Sequence, residues 1–364
     1  ALNGLDSTYQ PAQIQSWSLP LEHDVVPHGI LTMAYAGQAT DHIFSSGVDR
    51  NFPLSTTTAN TAACAASVNN VNPSSSANYA YDPCLNGSNP AVPAATQTVS
   101  NYYRPYLGYG SINSGVSLGI ANYNALQTGF IYRHSDLQVN LAYTWSKSLS
   151  NQNQTNNAYG FDSNIGFQNP RNPNADYGRP NYDRPHVFTA AYVYELPFFR
   201  HSGNFLAREI LSHWGTSGLI TAQSGYATSV GLSSSFAGLA NRANLVGPII
   251  HNSGSGKKNL GEAPIYTSSA FAVPAWGSFG NSQPGVLRGP KEISFATAVN
   301  KTFPITERIG AQIRAEAFNV FNHPNINGFN STYNFNASTN ASSFGYATSA
   351  GDMRQMEFSG RITF

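Results

Sequence analysis

Charge is scarce in this sequence. Asp, Glu, Lys and Arg make up 10% of 364 residues, against about 25% in an ordinary soluble chain. Basic and acidic residues nearly cancel at a net charge of +1, so there is no basic stripe to neutralise phosphates and no nucleic-acid partner is expected. Long apolar runs are missing too: no window reaches the roughly 18 residues that a membrane-crossing helix needs. The opening residues ALNGLDSTYQ carry neither a basic nor an apolar leader region, and the chain reads as beginning in mature or truncated sequence. Two cysteines are too few for a closed zinc site, and the nine histidines form no H-x-x-x-H or H-E-x-x-H pair; no metal and no cofactor is expected.

Aromatics, by contrast, make up 12% of the chain, although its mean hydropathy is only -0.28. Apolar residues placed at every second position resolve that conflict, because half of each strand can face lipid while mean hydropathy stays low. The last ten residues show the pattern. Met356, Phe358, Ile362 and Phe364 share one face with Gly360, and Gln355, Glu357, Ser359, Arg361 and Thr363 share the other. An amphipathic strand ending on an aromatic fits the closing strand of an outer-membrane barrel, with lipid on one side and a polar lumen on the other. Phe358, Ile362 and Phe364 are then the expected assembly signal for the barrel-assembly machinery. The competing reading is an edge strand of a soluble sandwich.

Comparable alternation recurs along the chain. In 137–149, Leu137, Val139, Leu141, Tyr143 and Trp145 alternate with Gln138, Asn140, Ala142, Thr144 and Ser146. Further strands are expected near 12–26 (Trp17, Leu19, Leu21 outward), 30–44, 120–134, 186–197, 212–226, 291–304, 308–322 and 351–364. Tight turns at Pro27–Gly29, Ser135–Asp136 and Ile305–Glu307, and a longer one at 198–211, alternate with long loops at 45–119, 150–185, 227–290 and 323–350. In outer-membrane barrels the short turns are periplasmic and the long loops extracellular. Trp17, Trp145 and Phe321 would then mark the outer interface, and Trp214, Phe303 and Phe364 the inner one. About nine strands is an odd number, whereas complete single-chain bacterial barrels have an even one. The expected fold is therefore all-β, an antiparallel transmembrane barrel forming the C-terminal strands of a larger plugged one, with residues 1–364 as one partial barrel domain.

Few motifs suggest chemistry. Gly115-Val116-Ser117-Leu118-Gly119 matches a nucleophile elbow but lies in a polar loop running into a strand, with no helix after it. Gly254 to Lys258 resembles half a phosphate loop without its first glycine or its final Ser/Thr, and reads as a loop tip. Asp162, Asp176 and Asp183 have oxygens suited to calcium but no EF-hand spacing, and read as solvated turn formers. Cys64 and Cys84 share one extracellular loop, and an oxidising export route favours a disulfide between them. On the lumen face, Arg314 and Glu316 lie on one strand and Glu357 and Arg361 on the last; opposite charges on adjacent strands could pair there, and these charges are expected to bind one another or a plug rather than substrate.

The segments Asn122–Gln127 (NYNALQ), Leu141–Ser150 (LAYTWSKSLS), Arg184–Phe198 (RPHVFTAAYVYELPF), Gly215–Val230 (GTSGLITAQSGYATSV) and Arg314–Asn330 (RAEAFNVFNHPNINGFN) resemble the C-terminal barrel of TonB-dependent outer-membrane receptors. The likeness is to the subgroup with a carboxypeptidase-regulatory-like N-terminal domain. It implies a barrel of about twenty-two strands filled by a plug, and energy from an inner-membrane TonB complex acting through a plug domain that this chain lacks. It also implies an unidentified extracellular ligand, and it assigns no ligand residue. The resulting expectation is a non-enzymatic outer-membrane receptor for active uptake. Alternatives are a passive porin or small standalone barrel, and less readily a surface adhesin or a hydrolase using Ser117.

Overall fold

The computed structural model describes residues 2–52, 105–106, 111–152, 167–200, 203–236, 240–252, 263–274, 279–306, 308–334 and 343–364. Cys64, Cys84, Asp162 and the Gly254–Lys258 segment lie outside the described residues.

Nine strands form one antiparallel meander, each hydrogen-bonded to the next in sequence. They are β1 Gln13–Val26, β2 Gly29–Asp49, β3 Ile112–His134, β4 Leu137–Ser150, β5 His186–Glu195, β6 Trp214–Gln223, β7 Glu292–Pro304, β8 Gly310–Phe318 and β9 Gln355–Thr363. A tenth strand, Leu2–Leu5, runs parallel to Ile112–Gly115 on the extension of β3. Sequence alternation did not signal it. Among the described residues β1 and β9 each pair on one side only, so the sheet is open between them.

Directly opposed residues in neighbouring strands point to the same face, so the register carries the facing from strand to strand. Leu21 opposes Met33, Met33 opposes Thr128, Thr128 opposes Tyr143, and the row continues through Phe188 and Ala222 to Ile293. A parallel row runs from Leu31 through Phe130, Leu141, Ala190 and Ile220 to Phe295. Val299, Ala315 and Phe358 carry the same face to the last strand. This face is apolar and bare: Leu19 is 65% exposed, Leu21 67% and Phe358 75%. An apolar surface of this extent marks a membrane or partner contact.

Short and long connections segregate to opposite ends. Positive φ at His28 (66°) and Ser135 (46°) closes the tight β1–β2 and β3–β4 hairpins. Backbone hydrogen bonds from Ile305 and Thr306 N–H to the Ile309 carbonyl close β7–β8. At the other end β2 and β3 run well past the expected limits at 44 and 120. The 23 residues of β3 would span roughly 75 Å, far more than the roughly 30 Å hydrocarbon core. Their pairing is regular from Gly29 to Thr40 and then slips at Ile43, Ser45 and Val48, with His42 at φ 59°. Bulges of this kind leave residues unpaired and increase twist, which suits strands leaving the bilayer.

The long connections are not simply solvated tails. Val230, Ala243, Ile265, Phe271, Leu287, Ile326, Phe329 and Phe344, drawn from 224–291 and 319–354, are buried together in a core of their own. Short strand pairs such as Ala227–Thr228 with Leu287–Arg288, and Ile326–Phe329 with Ala347–Ala350, frame it. We call this assembly the roof.

Candidate functional site

The concave candidate site lies where the polar face of β2–β5 meets the loop that leads into β5. A cavity of ≈ 470 Å³ is lined there by Gln38, Tyr123, Thr144 and Ser146 from the strands and by Tyr182 and Arg184 from the loop. Hydroxyl, phenol and amide groups dominate this wall, because the residues between the membrane-facing ones are Gln, Thr and Ser.

Two arginine–carboxylate pairs tie the roof to the loop leading into β5, and a third ties that loop to β7. Arg242 and Asp176 form an ion pair in which both side chains are buried. Asp176 is presented by a single 3-10 turn, Pro173–Asp176, and its second oxygen accepts the Gln168 N–H at 2.8 Å. Arg242 Nε also donates to the Ser282 carbonyl, tying 167–176 to two distant segments. Arg288 meets Asp183 at 2.6 Å and donates to the carbonyls of Asp183 and Gly225. The other Asp183 oxygen accepts the Ser148 N–H of β4 at 2.9 Å. Arg184 pairs with Glu292 at 3.0 Å, and Gln223 donates to the other oxygen of Glu292. Removing a partner from the buried Arg242–Asp176 pair, or Arg288 from the buried Asp183, leaves an uncompensated charge, so these two pairs lock the loop in place.

These contacts correct the expectation for Asp176 and Asp183. Both are buried, and their oxygens are engaged by arginines and backbone N–H groups rather than by solvent. Isolated buried carboxylates would be prohibitively costly, which is why each has a cation beside it. Arg242 and Arg288, the roof's anchors, were not singled out in the sequence; neither stands in a periodic segment.

Tyr266 sits inside the roof core. Its hydroxyl donates to the Arg288 carbonyl at 2.8 Å, and burial pushes the phenol above its ordinary value. Tyr333, packed against the same core, is shifted upward for the same reason.

Arg314, Glu316, Glu357 and Arg361 share the face of the sheet opposite Phe358. Arg314 forms an ion pair with Glu316 two residues along the same strand. In register Arg314 opposes Ser359, Glu316 opposes Glu357, and Arg361 opposes Gln312. Two acidic residues thus stand directly opposite each other, and the ion pair of Arg314 runs along its own strand rather than across to the last one. Phe358 and Ile362 lie on the membrane face of β9, and the terminal Phe364 is 91% exposed.

The serine of the elbow-like motif is accounted for differently. Gly115–Gly119 lies within β3, not in a loop, and the Ser117 hydroxyl donates to the Gln10 carbonyl at 2.7 Å while accepting the Gln10 N–H. It has neither the strained turn nor the following helix that activate a nucleophile.

The aromatic belt is visible at both ends. Trp17 and Trp145 are exposed on the membrane face toward the roof, and Phe321 stacks on Phe295 with ring centroids 5.3 Å apart. Trp17 lies flat over Gly37, where an added Cβ would come within 2.2 Å of the indole. Phe303 and Phe364 are exposed toward the short-turn end.

The family described as "Outer membrane beta barrel domain" matches residues 1–357. No curated protein matches the chain. Among solved structures, the outer membrane transporter YddB from Escherichia coli aligns at 9% identity with a TM-score of 0.48, over 99% of this chain and 33% of that one. The FrpB iron transporter from Neisseria meningitidis (F3-3 variant) aligns at 9% identity with a TM-score of 0.42, over 100% of this chain and 32% of that one. This chain therefore spans about a third of the length of each of those structures. With a family match over nearly its whole length, and with nine antiparallel strands apolar on one face and polar on the other, the chain belongs to the outer membrane β-barrel family and resides in the bacterial outer membrane.

Proposed function

We propose that this chain forms part of the wall and the extracellular roof of a TonB-energised receptor that takes up an external ligand. The observation that carries the reading is the roof: its long loops share one apolar core and are fastened by Arg242 and Arg288 over a polar wall. Ordered loops at the mouth suit selective capture, since binding residues cluster on loops held by a rigid scaffold. Passive diffusion needs only an open lumen.

The sheet edges support a larger barrel. Both β1 and β9 run toward the short-turn end, so pairing them directly would be parallel. Antiparallel closure needs an odd number of further strands between them. The TonB partner and a plug follow from the sequence resemblance to that receptor family.

The test is transport by the full gene product. We expect uptake into cells that collapses when the proton-motive force is removed, and no steady conductance from the purified protein in a planar bilayer. A stable ohmic conductance with energy-independent uptake would establish the passive barrel instead.

A further inference from the structure

The β5–β6 connection is the long exception among the short turns, and it contains a seven-residue helix, Phe205–Leu211. Two side chains of the sheet hold the end of that helix. Trp214 Nε1 donates to the Ile210 carbonyl at 2.9 Å, and Lys301 Nζ donates to the Ser212 carbonyl. Trp214 and Lys301 oppose each other in register. Two residues further along the same strands, Thr216 opposes Val299, which opposes Ala315 and so belongs to the row that ends at Phe358. Both donors therefore stand on the membrane face. The last carbonyls of a helix have no intrahelical partner and carry its negative end, so an indole N–H and an amine are suited to satisfy them.

The same contact explains a lysine among apolar residues. Lys301 follows Phe295, Thr297 and Val299 on the face turned to lipid, yet it is 1% exposed. Its amine lies 5.0 Å from the Phe303 ring centroid, and the helix end shields it. A lysine near the end of a membrane strand directs its charged tip to the interface while its stem stays apolar.

We propose that the described residues of this connection, 196–200 and 203–213, form an interfacial anchor, folded outward against the membrane side of the barrel and resting on the phospholipid of the inner leaflet. The segment presents apolar side chains that no other described residue covers: Ile210 is 58% exposed, Leu211 48%, Phe198 57% and Phe199 50%. That surface adjoins the lipid face of β6 at Trp214, whose indole is partly exposed and bonded to the helix end. It also lies at the end where the inner aromatic belt, Phe303 and Phe364, is exposed. Helices lying in an interface bury their apolar side into the boundary between headgroups and acyl chains.

The test uses nitroxide labels at Ile210→Cys, Phe358→Cys and Glu195→Cys, one at a time, in the full-length protein with Cys64 and Cys84 changed to serine. Each is folded into vesicles of phosphatidylethanolamine and phosphatidylglycerol, and its collisions with oxygen and with a water-soluble nickel chelate are compared. The label at 210 is expected to follow the one at 358, with an oxygen-to-nickel ratio several-fold above that at 195. A label at 210 that reads as aqueous as the one at 195, while 358 reads lipid, would overturn the anchor and leave the barrel reading intact. An aqueous reading at 358 would overturn the membrane-face assignment, and the anchor with it.

Discussion

In the sheet, large apolar side chains point away from the protein: Leu19 is 65% exposed and Phe358 75%. In the roof they point inward, with Val230 at 0% and Phe344 at 1%, and the charged Arg242 is buried with its partner Asp176 from the loop before β5. One chain thus satisfies the hydrophobic effect twice, in opposite senses, because two solvents surround it. Lipid covers the apolar rows of the sheet, where hydrogen bonds along the strands satisfy the backbone. Water surrounds the roof, which must build its own core and pair its buried charges as a soluble domain does.

The comparison breaks most readily at the buried ion pairs. Asp176→Ala would leave Arg242 uncompensated and should destabilise the roof by about 3 to 5 kcal/mol, read as faster protease cleavage within 224–291 while the membrane strands stay protected. Equal loss of protection in both regions would mean that roof and sheet fold as one unit. Tyr266→Phe should have the smallest effect, about 0.5 to 1.5 kcal/mol for the lost hydrogen bond. It also bears on pH. In the folded roof the phenol stays protonated after the unfolded chain begins to ionise near about pH 10, so stability present below that pH is lost as pH rises through the raised folded value. Hydrogen exchange of roof amides should accelerate above about pH 10, and less steeply in Tyr266→Phe. An identical pH profile in the variant would remove Tyr266 from that account.

Legibility followed the same division. Period-two alternation located all nine strands of the sheet and their facing, because lipid and lumen impose opposite demands on successive residues. The upper parts of β2 and β3 were missed because bulges between Thr40 and Val48 break the alternation there. The roof's core was invisible for a related reason. Val230, Ile265, Phe271, Leu287 and Phe344 stand singly or in pairs among Gly, Ser, Asn and Pro, and only tertiary contact brings them together. Asp176 and Asp183 carry no local signal that distinguishes a buried partner of arginine from a solvated turn residue. Lys301 occupies a lipid-facing position in the alternation, but the helix end that shelters it lies far away in sequence.

The central claim is that lipid covers one face of the sheet, and β4 tests it most directly. Arginine placed in turn at Val139, Asn140, Leu141, Ala142 and Tyr143 should give a saw-toothed series of folding free energies in lipid vesicles. A cost of about 2 to 4 kcal/mol is expected at the odd positions near the midplane, and little at the even ones. A flat series, or one with its maxima at Asn140 and Ala142, would contradict the assignment of the membrane face and the account built on it.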